Sequence, residues 1–158
     1  MKKTDSKTKL AGLSHDPIEF LAMTEISIIA HLADNLFAKT LPEGLTVAQF
    51  GVLNHLLRLD TQESVGELAN AMQVSQPTMS STIRKLKDKG YVTLKSTASD
   101  KRVKRVHVVE AGRTIRNEAV SNIGPIQQKL MAQLPQAQWK EILPILTNIR
   151  AILDSERS

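Results

Sequence analysis

Apolar residues recur every three or four positions along most of this chain, and where that period breaks, turn-forming residues or a short alternating run takes over. Ala22, Ile26, Ile29, Ala33, Leu36 and Phe37 predict a long amphipathic helix over 18–39. Leu41-Pro42-Glu43-Gly44 ends it and turns the chain. Thr46 with Gln49 three residues on forms a capping-box pattern, predicting a second helix to about Leu59 with Phe50, Leu53 and Leu57 on its buried side. Ser64 and Glu67 repeat that pattern before a short third helix, in which Val65, Leu68, Ala69 and Met72 form one apolar face.

Gln73-Val74-Ser75 predicts a tight turn into a fourth helix capped by Ser75, with Pro77 in the first turn, where a missing N–H costs little. Two short helices joined this way make a helix-turn-helix. Met79, Ile83 and Leu86 share one face of the fourth helix. Pro77, Ser81, Arg84 and Asp88 lie opposite, flanked by Thr78, Ser80 and Lys85. Gly90 suits the helix C-terminus. Tyr91–Leu94 and Val106–Val109 are β-prone runs separated by a polar, basic tip of about ten residues, which predicts a hairpin. The pattern then returns to a helical period. Ile115, Ala119, Ile123, Ile126 and Leu130 predict one helix over about 111–132 with a kink at Gly124-Pro125. Trp139, Ile142, Leu146, Ile149 and Leu153 predict a last helix over about 135–153, kinked or broken at the internal Pro144. The fold class is mainly α with a small β-hairpin: a winged helix-turn-helix between long terminal helices.

Charge sharpens this picture. Between Arg84 and Arg105 stand nine Lys or Arg and two acids, a local +7 in a protein of net +5. Charge so concentrated is the footprint of an element lying along phosphates, where neutralisation releases condensed counterions. The outward face of the fourth helix is small, hydroxylated and basic, as a helix entering a major groove needs. It makes Gln76, Thr78, Ser81, Arg84 and Lys85 the candidates for base and phosphate contact. Composition removes other chemistry. The chain has no cysteine, which excludes disulfides, thiolate nucleophiles and zinc-thiolate sites. His15, His31, His55 and His107 lack metal-ligand spacing, and no nucleotide-binding or hydrolase motif occurs. An enzyme is therefore not expected, nor a metal or cofactor. Five aromatic residues are too few for a single-strand stacking platform. No uncharged run approaches the ~20 residues of a membrane span, so the expected location is the cytoplasm, with no membrane partner.

Asp100-Lys101-Arg102, the alternating Val106 and Val108, and Gly112 ten residues after Arg102 follow the helix-turn-helix in a spacing that resembles the MarR family of bacterial transcriptional regulators. The resemblance covers about 18–153. The polar, Lys-rich start predicts a flexible arm over 1–16, and the resemblance implies one domain over 17–158, with the winged helix-turn-helix at about 45–110 and dimerisation helices at about 18–39 and 111–154. It further implies that Arg102 reaches the minor groove, with Asp100 orienting it. Lys101, Lys104 and Arg105 complete the basic wing set for phosphates and the minor groove. The implied partners are double-stranded DNA with a pseudo-palindromic operator, a second copy of the chain in a homodimer, and a small aromatic or anionic effector. The implied role is a repressor. The sequence departs from the family pattern at Val109, where a Thr usually caps the helix after the wing; a cap is worth ~1 kcal/mol. A nonspecific architectural DNA binder and a winged helix used for protein contact are the alternatives. The first would show no sequence preference, and the second should lack so basic a tip.

Overall fold

The computed structural model describes residues 16–96 and 103–156. The expected N-terminal arm, but for its last residue, and the hairpin tip thus lie outside the described residues. In chain order the elements are α1 (Ile18–Ala38), α2 (Val47–Leu59), β1 (Glu63–Ser64), α3 (Val65–Ala71), α4 (Gln76–Asp88), β2 (Val92–Ser96), β3 (Lys104–Val108), α5 (Glu110–Asn122), α6 (Gly124–Gln133) and α7 (Gln136–Ser155). The chain divides into two compact units, residues 1–39 with α1 and residues 40–158 with everything else.

In the first unit, α1 buries no residue, and Ile18, Phe20, Ile28, Ile29, Leu32 and Leu36 are exposed. By length and a mean hydropathy of 1.3 this 21-residue helix could cross a membrane. Glu25 and Asp34 lie within it, and an acid at a bilayer's centre costs a few kcal/mol.

In the second unit, local signals place the helix starts. Both capping boxes form: Thr46 Oγ1 accepts from the Gln49 N–H while Gln49 Oε1 accepts from the Thr46 N–H, and Ser64 and Glu67 repeat the exchange. Ser75 caps α4 by accepting from the Thr78 N–H. The turn between α3 and α4 needs a left-handed residue, and Gln73 supplies it with φ 53°, its side-chain amide donating to the Asn70 carbonyl. Gly90, at φ +72°, reverses the chain after α4 as expected.

Val52, Leu53 and Leu56 of α2, Leu68 of α3, Met79, Ile83 and Leu86 of α4, and Val92 and Val106 of the sheet form the core. On α2 this shifts the expected stripe: Leu53 is buried, but Val52 and Leu56 replace Phe50 and Leu57, which are half-buried. Gln49 is buried with them, satisfied by its capping box and by the Lys89 ammonium.

The sheet has three antiparallel strands in the order β1-β3-β2. Its hairpin register pairs Leu94 with Val106, so Thr93, Lys95, Arg105 and His107 share the opposite face from the buried Val106. The two-residue β1 was not expected; it pairs Glu63 with Val106 and Ser64 with Arg105.

The single helix expected over 111–132 is two, α5 and α6, separated at Ile123 just before Gly124-Pro125. The last helix continues through Pro144 rather than breaking there. The α5 start has no side-chain cap, as Val109 implied. Instead the first turn of α5 lies against the backbone of Tyr91, whose carbonyl accepts from the Val109 N–H at 3.2 Å. A Cβ at Gly112 would stand 2.2 Å from that same oxygen.

Candidate nucleic-acid interface

Helix α4 presents its polar face to solvent because its apolar face is fully used: Met79, Ile83 and Leu86 are all buried. Gln76, Thr78, Arg84 and Lys85 are exposed, while Ser81 is half-buried. Thr78 is partly committed at the helix start, its hydroxyl 2.7 Å from that of Ser75. Arg84 and Lys85 have no hydrogen bond or ion pair among the described residues, so their donors remain available to a ligand. The structure thus gathers the five α4 candidates on one exposed helix, with Ser81 the least accessible.

The wing candidates separate. Lys104 is exposed at the base of the tip, opposite Ser96. Asp100, Lys101 and Arg102 lie outside the described residues. Arg105 is folded onto the scaffold: its Nη1 donates to the Gln62 carbonyl at 2.7 Å and to Glu67 Oε2 at 3.2 Å. The Glu67 carboxyl is held below its ordinary pKa, first by the Ser64 backbone N–H and then by the Ser64 hydroxyl, against an opposing effect of burial, with Arg105 adding a lesser lowering. His107, on the same face of the hairpin, has its pKa lowered by burial and then by the nearby Lys95.

Three further polar ties, which helical periodicity could not reveal, hold the module's helices. Lys89, the C-cap of α4, donates to the Gly44 carbonyl and, at 2.9 Å, to Gln49 Oε1. On α5, Arg116 donates from Nε and Nη2 to Asn54 Oδ1 at 3.1 and 2.7 Å, and from Nη1 to Asn117 Oδ1. His55 donates to Glu63 Oε1 at 2.9 Å, and Thr61 donates to the same oxygen. A cleft of about 90 Å³ opens beside Asp60, Gln62, His107 and Arg113. That is room for a few waters, whereas a drug-sized ligand needs ~300 Å³ or more. No cluster of three metal-ligating side chains occurs among the described residues.

A capped helix-turn-helix with a free polar face on its second helix, joined to a basic hairpin through a shared core, defines a winged helix-turn-helix DNA-binding module. A family model described as the MarR family matches residues 43–103, from the turn before α2 to the residue before β3. Through that segment the chain is similar to the MarR family.

Solved structures extend the likeness in fold to both sides of it. The transcriptional regulator BldR of Sulfolobus solfataricus is 22% identical with a TM-score of 0.71, over 84% of this chain and 94% of that one. Wild-type MarR of E. coli in its apo form is 24% identical with a TM-score of 0.68, over 85% and 97%. BpsR of Bordetella bronchiseptica, whose DNA binding is regulated by 6-hydroxynicotinic acid, is 24% identical with a TM-score of 0.65, over 82% and 98%.

Proposed function

We propose that this chain is a sequence-specific double-stranded-DNA-binding repressor that works as a homodimer in the cytoplasm, its DNA affinity modulated by a small aromatic or anionic effector. The observation that carries the reading is the outer face of α4, where Arg84 and Lys85 stand exposed, with no hydrogen bond or ion pair among the described residues, beside exposed Gln76 and Thr78. A guanidinium with its donors uncommitted suits bidentate contact with guanine, and the small hydroxylated neighbours permit close approach. In this reading Gln76, Thr78, Ser81, Arg84 and Lys85 meet the major groove, and Lys101, Arg102 and Lys104, with Asp100 orienting Arg102, meet phosphates and the minor groove.

The exposed apolar residues of α1, and of α7, where Leu143, Ile145, Ile152 and Leu153 are solvent-facing, support burial against a second copy of the chain. A two-fold dimer presents two recognition helices about one turn of DNA apart, so its operator is pseudo-palindromic. The one domain then spans 17–158, with the helices outside 45–110 serving the dimer. Effector control is supported by the fold shared with BpsR. It requires a ligand that binds the DNA-competent and incompetent states with different affinity.

The test is fluorescence-anisotropy titration against a duplex selected from a random pool by the protein, and against its scrambled sequence, at several salt concentrations. The expected result is at least ~1000-fold preference for the selected duplex, and a loss of ~1–3 kcal/mol on Arg84→Ala. Arg102→Ala should weaken binding as well. Equal, salt-sensitive binding to both duplexes would refute sequence specificity, and no binding at low salt would refute the DNA reading.

A further inference from the structure

We propose that Arg105 is a positioning residue of the wing: it locks β3 to the start of α3 through Glu67, and so fixes where the hairpin strands stand relative to α4. This rests on the DNA-binding reading above.

The register puts Arg105 directly across from Ser64, the N-cap of α3. Glu67, in the first turn of α3, uses its Oε2 twice, accepting from the Ser64 N–H at 2.6 Å and from Arg105 Nη1 at 3.2 Å. The same Nη1 also reaches the Gln62 carbonyl, one residue before β1 begins. One guanidinium nitrogen therefore holds a two-residue strand that has little ladder of its own.

Cross-strand charge gives the second reason. Arg105 faces Lys95 in the hairpin register, with His107 on the same face. Like charges directly opposite destabilise a strand pair, and Glu67 is the acid that Arg105 meets. Without it, the hairpin's own charges favour swinging Arg105 away. Because α3 packs on α4 through the shared core, a wing tied to α3 is also set relative to α4, and that pre-organisation favours affinity.

The experiment is a double-mutant cycle in the full chain with Arg105→Met, Glu67→Gln and the pair. Glutamine at 67 keeps an oxygen for the Ser64 N–H, so the capping box survives and the ion pair alone is lost. Each protein is titrated against the duplex selected by the wild type and against its scrambled sequence. The ratio of the two affinities cancels the shared effect of net charge.

Glu67→Gln is expected to lower that ratio about two- to fivefold and Arg105→Met about five- to tenfold, with the pair no worse than Arg105→Met. Arg105→Met should leave the salt slope nearly unchanged, whereas Lys104→Met lowers it by about one, as loss of a phosphate contact does. If Arg105 instead leaves Glu67 to grip a phosphate, Glu67→Gln frees it and binding tightens. That result, or two losses that multiply, overturns the proposal. If the wild type selects no duplex, the DNA reading fails by itself, and amide exchange at residues 63–64 and 104–108 tests the lock: both single variants must speed it, and unchanged exchange overturns the lock.

Discussion

Replacing Gly112 with alanine should unfold this protein several degrees early, whereas the same replacement at Gly51 should do the opposite. Both glycines lie inside helices, Gly112 in α5 and Gly51 in α2. In a helix interior, as at Gly51, alanine is favoured over glycine by about 0.8–1 kcal/mol, and at Gly112, in the first turn of α5, the gain is no larger. At Gly51 a Cβ meets only Met72 Cε, at 3.9 Å, an ordinary contact. At Gly112 it meets the Tyr91 carbonyl oxygen at 2.2 Å and Val108 Cγ1 at 2.9 Å.

The first of these is backbone, and it is already fixed as acceptor for the Val109 N–H. Relief therefore means moving α5 off the β2 end by roughly 1 Å to recover a normal contact distance. Overpacking of this kind costs ~1–3 kcal/mol, and a rigid partner puts the cost at the upper end. Net of the helix gain, Gly112→Ala should lose about 2 kcal/mol and Gly51→Ala should gain up to about 1 kcal/mol. In a chain of this size the loss lowers Tm by roughly 4–8 °C. Thermal and urea melts followed by circular dichroism measure both. The reasoning is refuted if Gly112→Ala is as stable as the wild type, or if the two variants shift in the same direction by the same amount.

Val109→Thr should stabilise by ~1 kcal/mol, because the Val109 backbone already has N-cap geometry (φ −91°, ψ 172°) and lacks only the side-chain acceptor; an unchanged urea midpoint would mean the α5 N–H groups are satisfied otherwise. Asn54→Ala should cost ~1–3 kcal/mol by stripping two hydrogen bonds from the half-buried Arg116 guanidinium, while Asn54→Asp, which keeps the acceptor and adds a counter-charge, should cost less; equal losses would show that packing decides. Stability should also fall in two steps as pH drops, because both shifted groups have folded-state pKa values below their unfolded ones, so the unfolded chain binds more protons. The His107 contribution is present above its ordinary 6.5 and is lost as pH falls through its lowered value, and the Glu67 contribution behaves likewise below 4.5. Denaturant titrations across pH should show the upper step vanish in His107→Gln and the lower one shrink in Glu67→Gln, and an upper step that survives His107→Gln would assign it elsewhere.

What the sequence made legible here is local. Ser64 and Glu67 are three residues apart, so their capping box is visible in the chain itself, and the apolar side of α4 is narrow enough to have one reading. The α2 segment is less decisive because Val47, Ala48, Phe50, Val52, Leu53, Leu56, Leu57 and Leu59 cover most of its circumference. Only tertiary packing selects Val52 and Leu56 over Phe50 and Leu57. A two-residue strand has no period to detect, so β1 exists for the eye only once β3 is beside it. At Ile123 a helical pattern carries straight on through a chain that does not, since the period of apolar residues is indifferent to a single turn between two helices. At Pro144 the helix does not break. Proline removes one N–H and crowds one carbonyl, and the remaining bonds of the 20-residue α7 keep the helix continuous across it.

The basic block shows where counting charges stops being informative. All nine Lys and Arg look alike in the sequence, yet the fold gives them different work. Lys89 closes α4 by holding the turn before α2, and Arg105 bridges β3 to the start of α3, each using its donors on protein oxygens. Arg84, Lys85, Lys95 and Lys104 stay exposed on the recognition helix and hairpin. Under the proposed reading both kinds serve one function, because a free cation recognises DNA only as well as the scaffold fixes its position. The partners that sort them lie 38 to 45 residues away in sequence, between Arg105 and Glu67 and between Lys89 and Gly44. For that reason a local charge count overstates the number of side chains that the fold leaves free for a ligand.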